Sequence, residues 1–233
     1  RRYKNMIKEQ LRAASYSILG DRSSQQDAAG LEWSDENLLV AVCDGMGGHS
    51  FGETASETVC NTISDFWKKH ISTPDCDSKV KLACKKASCA IDQKAFELHH
   101  AEMGATMVMV SIEGDKATIA HVGDSRCYLQ RQGEGLLYQT EDHVRIDFGW
   151  EVVSRCFFSY RPEVAVPDIR QFAIQKGDRI LLCSDGLYKS MSSGILQARM
   201  LDDKPLEDIL DVFDFLCQKQ GDDNYTAIMI EIE

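Results

Sequence analysis

The composition of this chain is that of an ordinary globular protein with an acidic balance of charge. Its 233 residues are 43% apolar and 27% charged, and 37 Asp and Glu against 26 Lys and Arg give a formal net charge of −11. This charge argues against nucleic acid or an anionic membrane as the main partner, because both attract basic surfaces. The apolar runs are far shorter than the roughly 20 residues of a membrane span. The length suits a single domain, which we predict over residues 1–233.

Targeting and redox signals favour an intracellular protein. The first ten residues carry charges but no apolar stretch of the kind found in a signal peptide. The nine cysteines are an odd number and include no C-x-x-C pair, which argues against a zinc cluster or a thioredoxin-type motif. Small buried thiols in a reducing compartment are the simplest interpretation. We therefore expect a cytoplasmic location.

The first half of the chain predicts two strands followed by two helices. Residues 11–19 form a first strand, and Leu38–Cys43 is an unbroken apolar run typical of a strand buried on both faces. Apolar residues then recur at helical spacing over residues 52–70 and again over 78–99. We expect these two helices to cover one face of a sheet.

The second half of the chain is dominated by predicted hairpins. Strands are predicted at 105–112, 117–122, 126–131, 169–174, 179–184 and 225–232, and short helices at 193–201 and 206–218. Residues 141–167 show no clear period. Because strands occur in hairpins and helices in separate pairs, we predict an α+β fold with about nine strands and about four helices. The natural arrangement is a four-layer α/β/β/α sandwich, in which two mainly antiparallel sheets are flanked by helix pairs.

Acidic residues recur where an apolar strand begins or ends. The four positions are Asp44, Asp124, Asp185 and Asp223. Taken alone, each is explained by a turn, because Asp beside Gly, Ser or Asn is common there. Four such strand ends on one edge of a sandwich would instead bring the carboxylates together.

A group of convergent carboxylates predicts a hard divalent cation. Without cations, burying several of these charges would cost several kcal/mol for each unpaired one. Oxygen ligands without His or Cys clusters favour Mg²⁺ or Mn²⁺ over zinc. Two such ions about 4 Å apart can bridge a water, lower its pKa and present hydroxide to a phosphorus centre. Arg22 is a candidate to bind phosphate through its guanidinium, with an ordinary surface arginine as the alternative.

Short motifs along the chain resemble those of a known family. In chain order they are Arg22–Asp27 (RSSQQD), Asp44–His49 (DGMGGH), Gly104–Thr106 (GAT), Gly123–Arg126 (GDSR), Thr140–His143 (TEDH), Ser184–Leu187 (SDGL) and Gly221–Thr226 (GDDNYT). This series is similar to that of the metal-dependent serine/threonine protein phosphatases of the protein phosphatase 2C type, and DGMGGH is common in bacterial members. The resemblance implies a central β-sandwich flanked by helix pairs, which agrees with the fold predicted from the elements.

The resemblance also implies a set of metal ligands. Asp44 would bridge two metal ions, and the Gly45 carbonyl would bind one of them. Asp185 and Asp223 would hold the other ion. Asp124, together with Asp185, would form a weaker third-metal site.

Supporting roles follow from the same resemblance. Gln26 and Asp27 would hydrogen-bond to metal-bound water. Arg22 would bind the phosphate group of the substrate. Asn224 and Asp142 would orient neighbouring groups rather than take part in the reaction.

Three features depart from the family pattern. Met46 stands where many members carry a histidine thought to act as general acid, and His49 need not replace it, which leaves a metal-bound water as the candidate proton donor. Gln25 and Gln26 replace the usual Asn and Glu, from which we expect weaker metal binding. The region between His143 and Ser184 lacks the usual arginine–leucine-rich stretch, so either the flap beside the active site is reduced or a piece of it is absent from this sequence.

These features predict a phosphoprotein phosphatase that acts on phosphoserine and phosphothreonine by direct attack of metal-activated water. We expect a monomer that opposes a serine/threonine kinase. The cysteines lack a phosphate-loop context, which disfavours a cysteine nucleophile. The alternative is a catalytically silent module that keeps the fold to bind a kinase or regulatory partner, and the intact aspartates favour the enzyme. A small-molecule phosphatase would share the chemistry and differ only in its substrate surface.

Overall fold

The computed structural model describes residues 6–8, 11–34, 37–46, 48–74, 77–220 and 222–233. Predictions that concern residues 1–5, Gly47, Cys76 or Gly221 therefore lie outside the described residues. The same holds for predictions about the side chain of His49.

Fifteen strands and five α-helices follow one another along this part of the chain. The strands are β1 (Met6–Lys8), β2 (Leu11–Ile18), β3 (Asp27–Ser34), β4 (Asn37–Met46), β5 (Gly104–Ala105), β6 (Met107–Glu113), β7 (Lys116–Val122), β8 (Arg126–Arg131), β9 (Gly135–Gln139), β10 (Val144–Asp147), β11 (Trp150–Val153), β12 (Phe157–Phe158), β13 (Asp168–Ala173), β14 (Asp178–Cys183) and β15 (Tyr225–Ile232). The helices are α1 (Gly48–Lys69), α2 (Asp77–Glu97), α3 (Asp185–Tyr188), α4 (Ser193–Met200) and α5 (Leu206–Gln220), with a 3₁₀ turn at Pro162–Val164.

The strands pair into two large sheets and one separate hairpin. The six-stranded sheet has the order β1-β2-β15-β14-β8-β9. The seven-stranded sheet has the order β12-β5-β4-β6-β7-β13, with β3 on the other edge of β4, and β10 pairs only with β11. Every pairing in this part of the chain is antiparallel. The predicted antiparallel sheets are confirmed.

Three apolar layers hold the sheets and helices together. Between the sheets, Val40 from one and Leu182 from the other are fully buried in the same layer. On the outer faces, α1 and α2 pack on the seven-stranded sheet around Val59, and α4 and α5 pack on the six-stranded sheet around Phe213. Each such side chain contributes about 2 kcal/mol relative to the exposed state. The four-layer α/β/β/α arrangement predicted from the sequence is therefore confirmed.

Strand β4 is buried on both faces, as its apolar run predicts. Even-numbered residues from Leu38 to Val42 lie between the sheets, and odd-numbered residues from Leu39 to Cys43 face the helices. Asp44 continues the even series because side chains alternate along a strand. The carboxylate is thus delivered to the side between the sheets, where the apolar layer ends.

Strand β3 and the start of α1 differ from the sequence prediction. The segment DAAGLEWS was not predicted as a strand because Ala, Gly and Asp have low β-propensity. It forms an edge strand on β4 and packs closely on α1, since a Cβ on Gly30 would lie 2.9 Å from Ser64 Oγ. Helix α1 begins at Gly48 instead of residue 52. Gly52 therefore lies inside the helix, where a Cβ would come within 2.8 Å of the Gln26 side chain.

The segment without clear period contains a hairpin of β10 and β11. A two-residue turn, Phe148-Gly149, joins the strands, and its φ angles are 49° and 85°. Two positive φ angles define a type I′ turn, for which Asn-Gly is the usual sequence. Phenylalanine at positive φ is uncommon, so the sequence gives no hairpin signal here.

The described cysteines behave as predicted. All eight are free, seven are buried, and Cys89 is exposed. This confirms the expectation of small buried thiols within this part of the chain. In the same residues, none of the helices combines the length and the apolar character required to cross a membrane.

Candidate metal centre

Carboxylates from both sheets meet at one edge of the sandwich. Asp44 near the end of β4 lies directly opposite Asp27 in the β3–β4 register. The charges of Asp27, Asp185 and Asp124 act on Asp44, and those of Asp185 and Asp223 act on Asp27. The structure therefore brings together the four strand-end aspartates and Asp27. The role of each as a metal ligand or a water-binding group remains a prediction.

This crowding makes the carboxylates hard to ionise. Burial raises the pKa of Asp44 well above its ordinary value, and the charges of Asp27, Asp185 and Asp124 raise it further. Burial also raises the pKa of Asp124 to about 6. Burial raises the pKa of Asp27 to about 7, although the hydrogen bonds from Ser184 and Thr226 lower it in part. A divalent cation would relieve this repulsion.

Asp185 supplies the observation that tests whether the residues fit a metal ion. Its Oδ2 accepts a hydrogen bond from Lys189 Nζ at 2.6 Å. Its Oδ1 is buried and has no hydrogen-bond partner among the described protein atoms. A buried carboxylate oxygen without a donor is costly, and it is the ligand type that Mg²⁺ and Mn²⁺ prefer. The side chains at this edge therefore fit a divalent cation.

Thr106 ties the end of β4 to the turn that carries Asp124. The Asp44 N–H donates to Thr106 Oγ1 at 3.1 Å, and the Thr106 N–H donates to the Asp44 carbonyl at 2.8 Å. Thr106 Oγ1 also lies 2.7 Å from Ser125 Oγ. The threonine fixes Asp44 relative to the Asp124 turn. The motif Gly104–Thr106 in the sequence gives no indication of this role.

His143 holds the same turn from the other side. The Gly123 N–H donates to His143 Nδ1 at 3.1 Å, and the His143 N–H donates to the Gly123 carbonyl at 3.0 Å. Gly123 has a φ of 112°, which favours glycine. These bonds fix the backbone immediately before Asp124.

A second group of possible ligands lies behind that turn. Ligand atoms of His121, His143 and Asp168 are all within 4.8 Å of one another. The two imidazole rings are stacked, with centroids 4.4 Å apart and planes 16° apart, so their in-plane lone pairs run side by side and do not converge. Arg155 already donates to Asp168 at 3.0 Å. We therefore interpret this group as support for the turn.

Asn224 fastens the segment that carries Arg22 and Gln26. Its Oδ1 accepts from the Gln26 N–H at 2.8 Å, and its Nδ2 donates to the carbonyls of Leu19 and Ser24 at 2.7 and 3.1 Å. The Gln26 carbonyl in turn accepts from the Gly45 N–H at 3.0 Å. A Cβ on Gly45 would lie 2.0 Å from a backbone oxygen of α1, so this position requires glycine.

Ser184 joins both sheets beneath the carboxylates. Its hydroxyl donates to Asp27 Oδ2 at 2.7 Å and accepts from the Thr226 N–H at 3.0 Å. The residue is fully buried. This role is not apparent from the sequence, where the only signal is that Ser184 directly precedes Asp185 in the matching motif.

Arg22 lies at the rim of the site. Its Nη2 donates to Asp223 Oδ2 at 2.9 Å, and its Nε donates to the Asp222 carbonyl at 2.8 Å. The side chain is 54% exposed, so solvent and a substrate both reach it. The guanidinium is therefore held beside one of the candidate metal ligands.

Asp142 supports Asp124 through two intermediates. It accepts two hydrogen bonds from Arg126, at 2.8 and 2.7 Å. The guanidinium of Arg126 lies 3.6 Å from the centre of the Tyr188 ring, and the Tyr188 hydroxyl donates to the Asp124 carbonyl at 3.1 Å. This chain of contacts links Asp142 to the backbone of Asp124, and an orienting role for Asp142 remains a prediction. Met46 ends β4 opposite Gly104 and carries no proton to donate.

Comparisons with known proteins place the chain in a family. The family model of protein phosphatase 2C matches residues 16–228. The serine/threonine phosphatase stp of Listeria innocua serovar 6a is 27% identical over 234 residues, which cover 90% of this chain and 91% of that protein. A solved structure of the serine/threonine phosphatase of S. agalactiae has a TM-score of 0.81 at 25% identity, covering 96% of this chain and 100% of the other. The catalytic domain of the serine/threonine phosphatase PstP, solved with two manganese ions, has a TM-score of 0.79 at 26% identity over 96% of this chain and 98% of the other. With the family model matching most of its length, the chain belongs to the protein phosphatase 2C family.

Proposed function

We propose that this protein is a metal-dependent phosphatase that removes phosphate from phosphoserine and phosphothreonine in other proteins. The enzyme class, protein-serine/threonine phosphatase, follows from its family. One observation carries the metal dependence: five carboxylates meet at the sandwich edge, and one of them has a buried oxygen without a hydrogen-bond donor. This is the arrangement that a divalent cation stabilises.

We propose two Mn²⁺ or Mg²⁺ ions, held as the resemblance implies. Asp44 would contact both ions, the Gly45 carbonyl one of them, and Asp185 and Asp223 the other. The all-oxygen donor set supports hard divalent ions, and the PstP catalytic domain was solved with two manganese ions. When bound, such ions lower the pKa of a shared water so that it attacks phosphorus directly.

The protein's own residues would bind and orient the substrate. The exposed guanidinium of Arg22 would bind the phosphate oxygens and offset the charge that develops during transfer. Gln26 and Asp27 would hydrogen-bond the water beside the metal ligands. Because Met46 has no proton to give, we propose that water protonates the leaving serine or threonine oxygen.

The substrate and setting are further proposals. Phosphoproteins made by a serine/threonine kinase fit the enzyme class, and we propose that the protein acts on them as a monomer in the cytoplasm. The free described cysteines support a reducing compartment. The formal charge of −11 supports protein substrates over nucleic acid.

The proposal is tested by hydrolysis of a phosphothreonine peptide with Mn²⁺, Mg²⁺ or EDTA. We expect activity with Mn²⁺, none in EDTA, and a loss of about 1,000-fold or more in kcat for Asp44→Asn and Asp185→Asn, which corresponds to about 4 kcal/mol of transition-state stabilisation. Asp65→Asn, an exposed aspartate on α1, is the matched control and should be fully active. Circular dichroism checks that every variant is folded.

Near-normal rates in both site variants would overturn the metal assignment. No turnover with any metal, from a protein that still binds Mn²⁺, would favour the silent binding module. Turnover of p-nitrophenyl phosphate without turnover of phosphopeptides or phosphoproteins would favour a small-molecule phosphatase.

A further inference from the structure

A half-exposed lysine side chain contacts the acidic edge of the sandwich. Lys189 follows α3 directly, and its Nζ donates to Asp185 Oδ2 at 2.6 Å. Asp185 lies four residues earlier, so one helical turn sets the two side chains face to face. The two oxygens of Asp185 therefore differ: Oδ2 accepts a hydrogen bond from an ammonium group, and Oδ1 is buried without a donor.

The surroundings of Lys189 favour its charged form. A lysine ammonium is positively charged at neutral pH, and its hydrogen bond to Asp185 Oδ2 holds that charge beside the carboxylate. The charges of Asp124 and Glu151 also act on Lys189. The ammonium thus interacts with the carboxylates of Asp185 and Asp124 together, the pair to which the resemblance assigns a third metal ion.

The residues at that third position fit a metal ion poorly. A divalent ion there would have to displace the ammonium from Asp185 Oδ2 and then bind beside its positive charge. Glu151 of β11 supplies one further negative charge, which interacts with Lys189 itself. The Lys189 main chain is also fixed, because its N–H donates to the Asp185 carbonyl at 2.9 Å.

We propose that Lys189 serves as a built-in cation in place of a third metal ion, so that this chain binds two divalent ions and not three. The inference rests on the proposed function, since it presupposes the two-metal site. It gives Lys189 a positioning role, because the lysine acts on the reaction through Asp185 and Asp124.

Counting bound Mn²⁺ tests this inference without measuring activity. Equilibrium dialysis at millimolar Mn²⁺ gives the number of ions bound per chain at saturation. We expect two ions for the wild type and three for Lys189→Gln, the third weaker than the others. Lys189→Arg keeps the positive charge and should bind two.

Two further variants make the count specific. Lys94→Gln removes a lysine that pairs with Glu97 at 3.0 Å on α2, and it should leave the count at two. Adding Asp124→Asn to Lys189→Gln should return the count from three to two, because the third ion would need that carboxylate.

The outcomes separate this inference from the proposed function. Three ions in the wild type, one of them lost in Asp124→Asn, would show that Lys189 does not exclude the third ion. Two ions in Lys189→Gln would also overturn the inference, and both results would leave the two-metal site intact. Fewer than two ions in the wild type would overturn the two-metal site itself and this inference with it.

Discussion

Arg22 combines two tasks at the residue scale, because it pairs with Asp223 and faces solvent. A charge-assisted, bidentate contact with phosphate is worth about 1.5–3 kcal/mol. We therefore expect Arg22→Ala to lower kcat/KM for a phosphothreonine peptide by about 10- to 100-fold. Arg22→Lys keeps the charge without the fork of donors and should recover only part of this loss.

The measurement is steady-state kinetics at saturating Mn²⁺, combined with a Mn²⁺ titration. The titration is needed because Arg22 also touches Asp223. An unchanged kcat/KM in Arg22→Ala would remove the phosphate-binding role. A kinetic loss fully explained by weaker Mn²⁺ binding would assign the residue to the support of Asp223.

At this scale, charged residues at strand ends are easy to recognise in the sequence. The residues that position those charged side chains through hydrogen bonds are harder to recognise. Asp44 and Asp185 stand out because each lies at the end of an apolar run. Thr106 and Ser184 act through hydrogen bonds to partners 62 and 157 residues away, and no local pattern encodes such contacts. The role proposed for Lys189 gives no sequence signal for a different reason: its partner is only four residues away, but a lysine after a short helix is ordinary.

At the scale of elements, Ser184 joins β3 of one sheet to β15 of the other. We expect Ser184→Ala to lower the free energy of unfolding by about 1–3 kcal/mol, because both Asp27 and the Thr226 N–H lose a buried partner. Urea unfolding in EDTA measures this effect without a contribution from metal binding. Ser72→Ala, at an exposed position, is the control and should change stability by less than about 0.5 kcal/mol. Equal stability of the two variants would contradict the bridging role.

The β10–β11 hairpin projects an unusually apolar tip. Phe148 is 97% exposed and Trp150 is 77% exposed, while the turn requires positive φ at Phe148 and Gly149. Because Asn adopts this conformation more easily, Phe148→Asn should increase the hydrogen-exchange protection of the hairpin amides by about 3- to 5-fold, equivalent to about 0.6–1 kcal/mol.

Gly149→Ala is the opposing variant for the same turn. With φ at 85°, a Cβ strains the backbone, so protection of the hairpin amides should fall. Amides of β4 serve as the internal reference and should be unaffected in both variants. Protection that does not respond to either substitution would show that the turn is not of the type I′ conformation.

Helices and strands with a strong hydrophobic pattern can be predicted from the sequence. Elements that form only because they pair with a neighbouring strand cannot. The run Leu38–Cys43 has only one sensible interpretation, a strand buried on both faces, and it lies in β4. Strand β3 exists because β4 offers it an edge and α1 covers it, although its sequence has low β-propensity. The Phe148-Gly149 turn likewise depends on the strands it connects. The elements that the sequence did not predict are therefore the ones that depend on tertiary contacts.

At the scale of the whole molecule, the sandwich fold holds mutually repelling carboxylates together at one edge. Strand ends from both sheets meet where the apolar layer between them ends, so folding brings carboxylates together that an unfolded chain keeps apart. The large apolar core supplies the stability that offsets this repulsion. That the chain forms one domain over residues 1–233 remains a prediction.

Burial of these carboxylates, together with their mutual repulsion, predicts how stability changes with pH in the absence of metal. The pKa of Asp124 rises from an ordinary 3.8 to about 6 on folding, so the folded state binds the proton more tightly than the unfolded state. Its contribution to stability is therefore present below about pH 4 and is lost as the pH rises to about 6, by at most about 3 kcal/mol. The raised pKa of Asp27, about 7, extends the loss to neutral pH.

Divalent cations should reverse this trend, because they bind the ionised carboxylates and compete with protons. Thermal unfolding at about pH 5 and about pH 8, in EDTA and in Mn²⁺, measures the effect; we expect the increase in Tm with Mn²⁺ to be larger at the higher pH. In EDTA, Asp124→Asn should lose less stability than the wild type between these pH values, because it lacks one of the titrating groups, whereas Asp65→Asn should follow the wild type. Parallel pH profiles for Asp124→Asn and the wild type would mean that burial and neighbouring charges do not raise the pKa of Asp124 on folding.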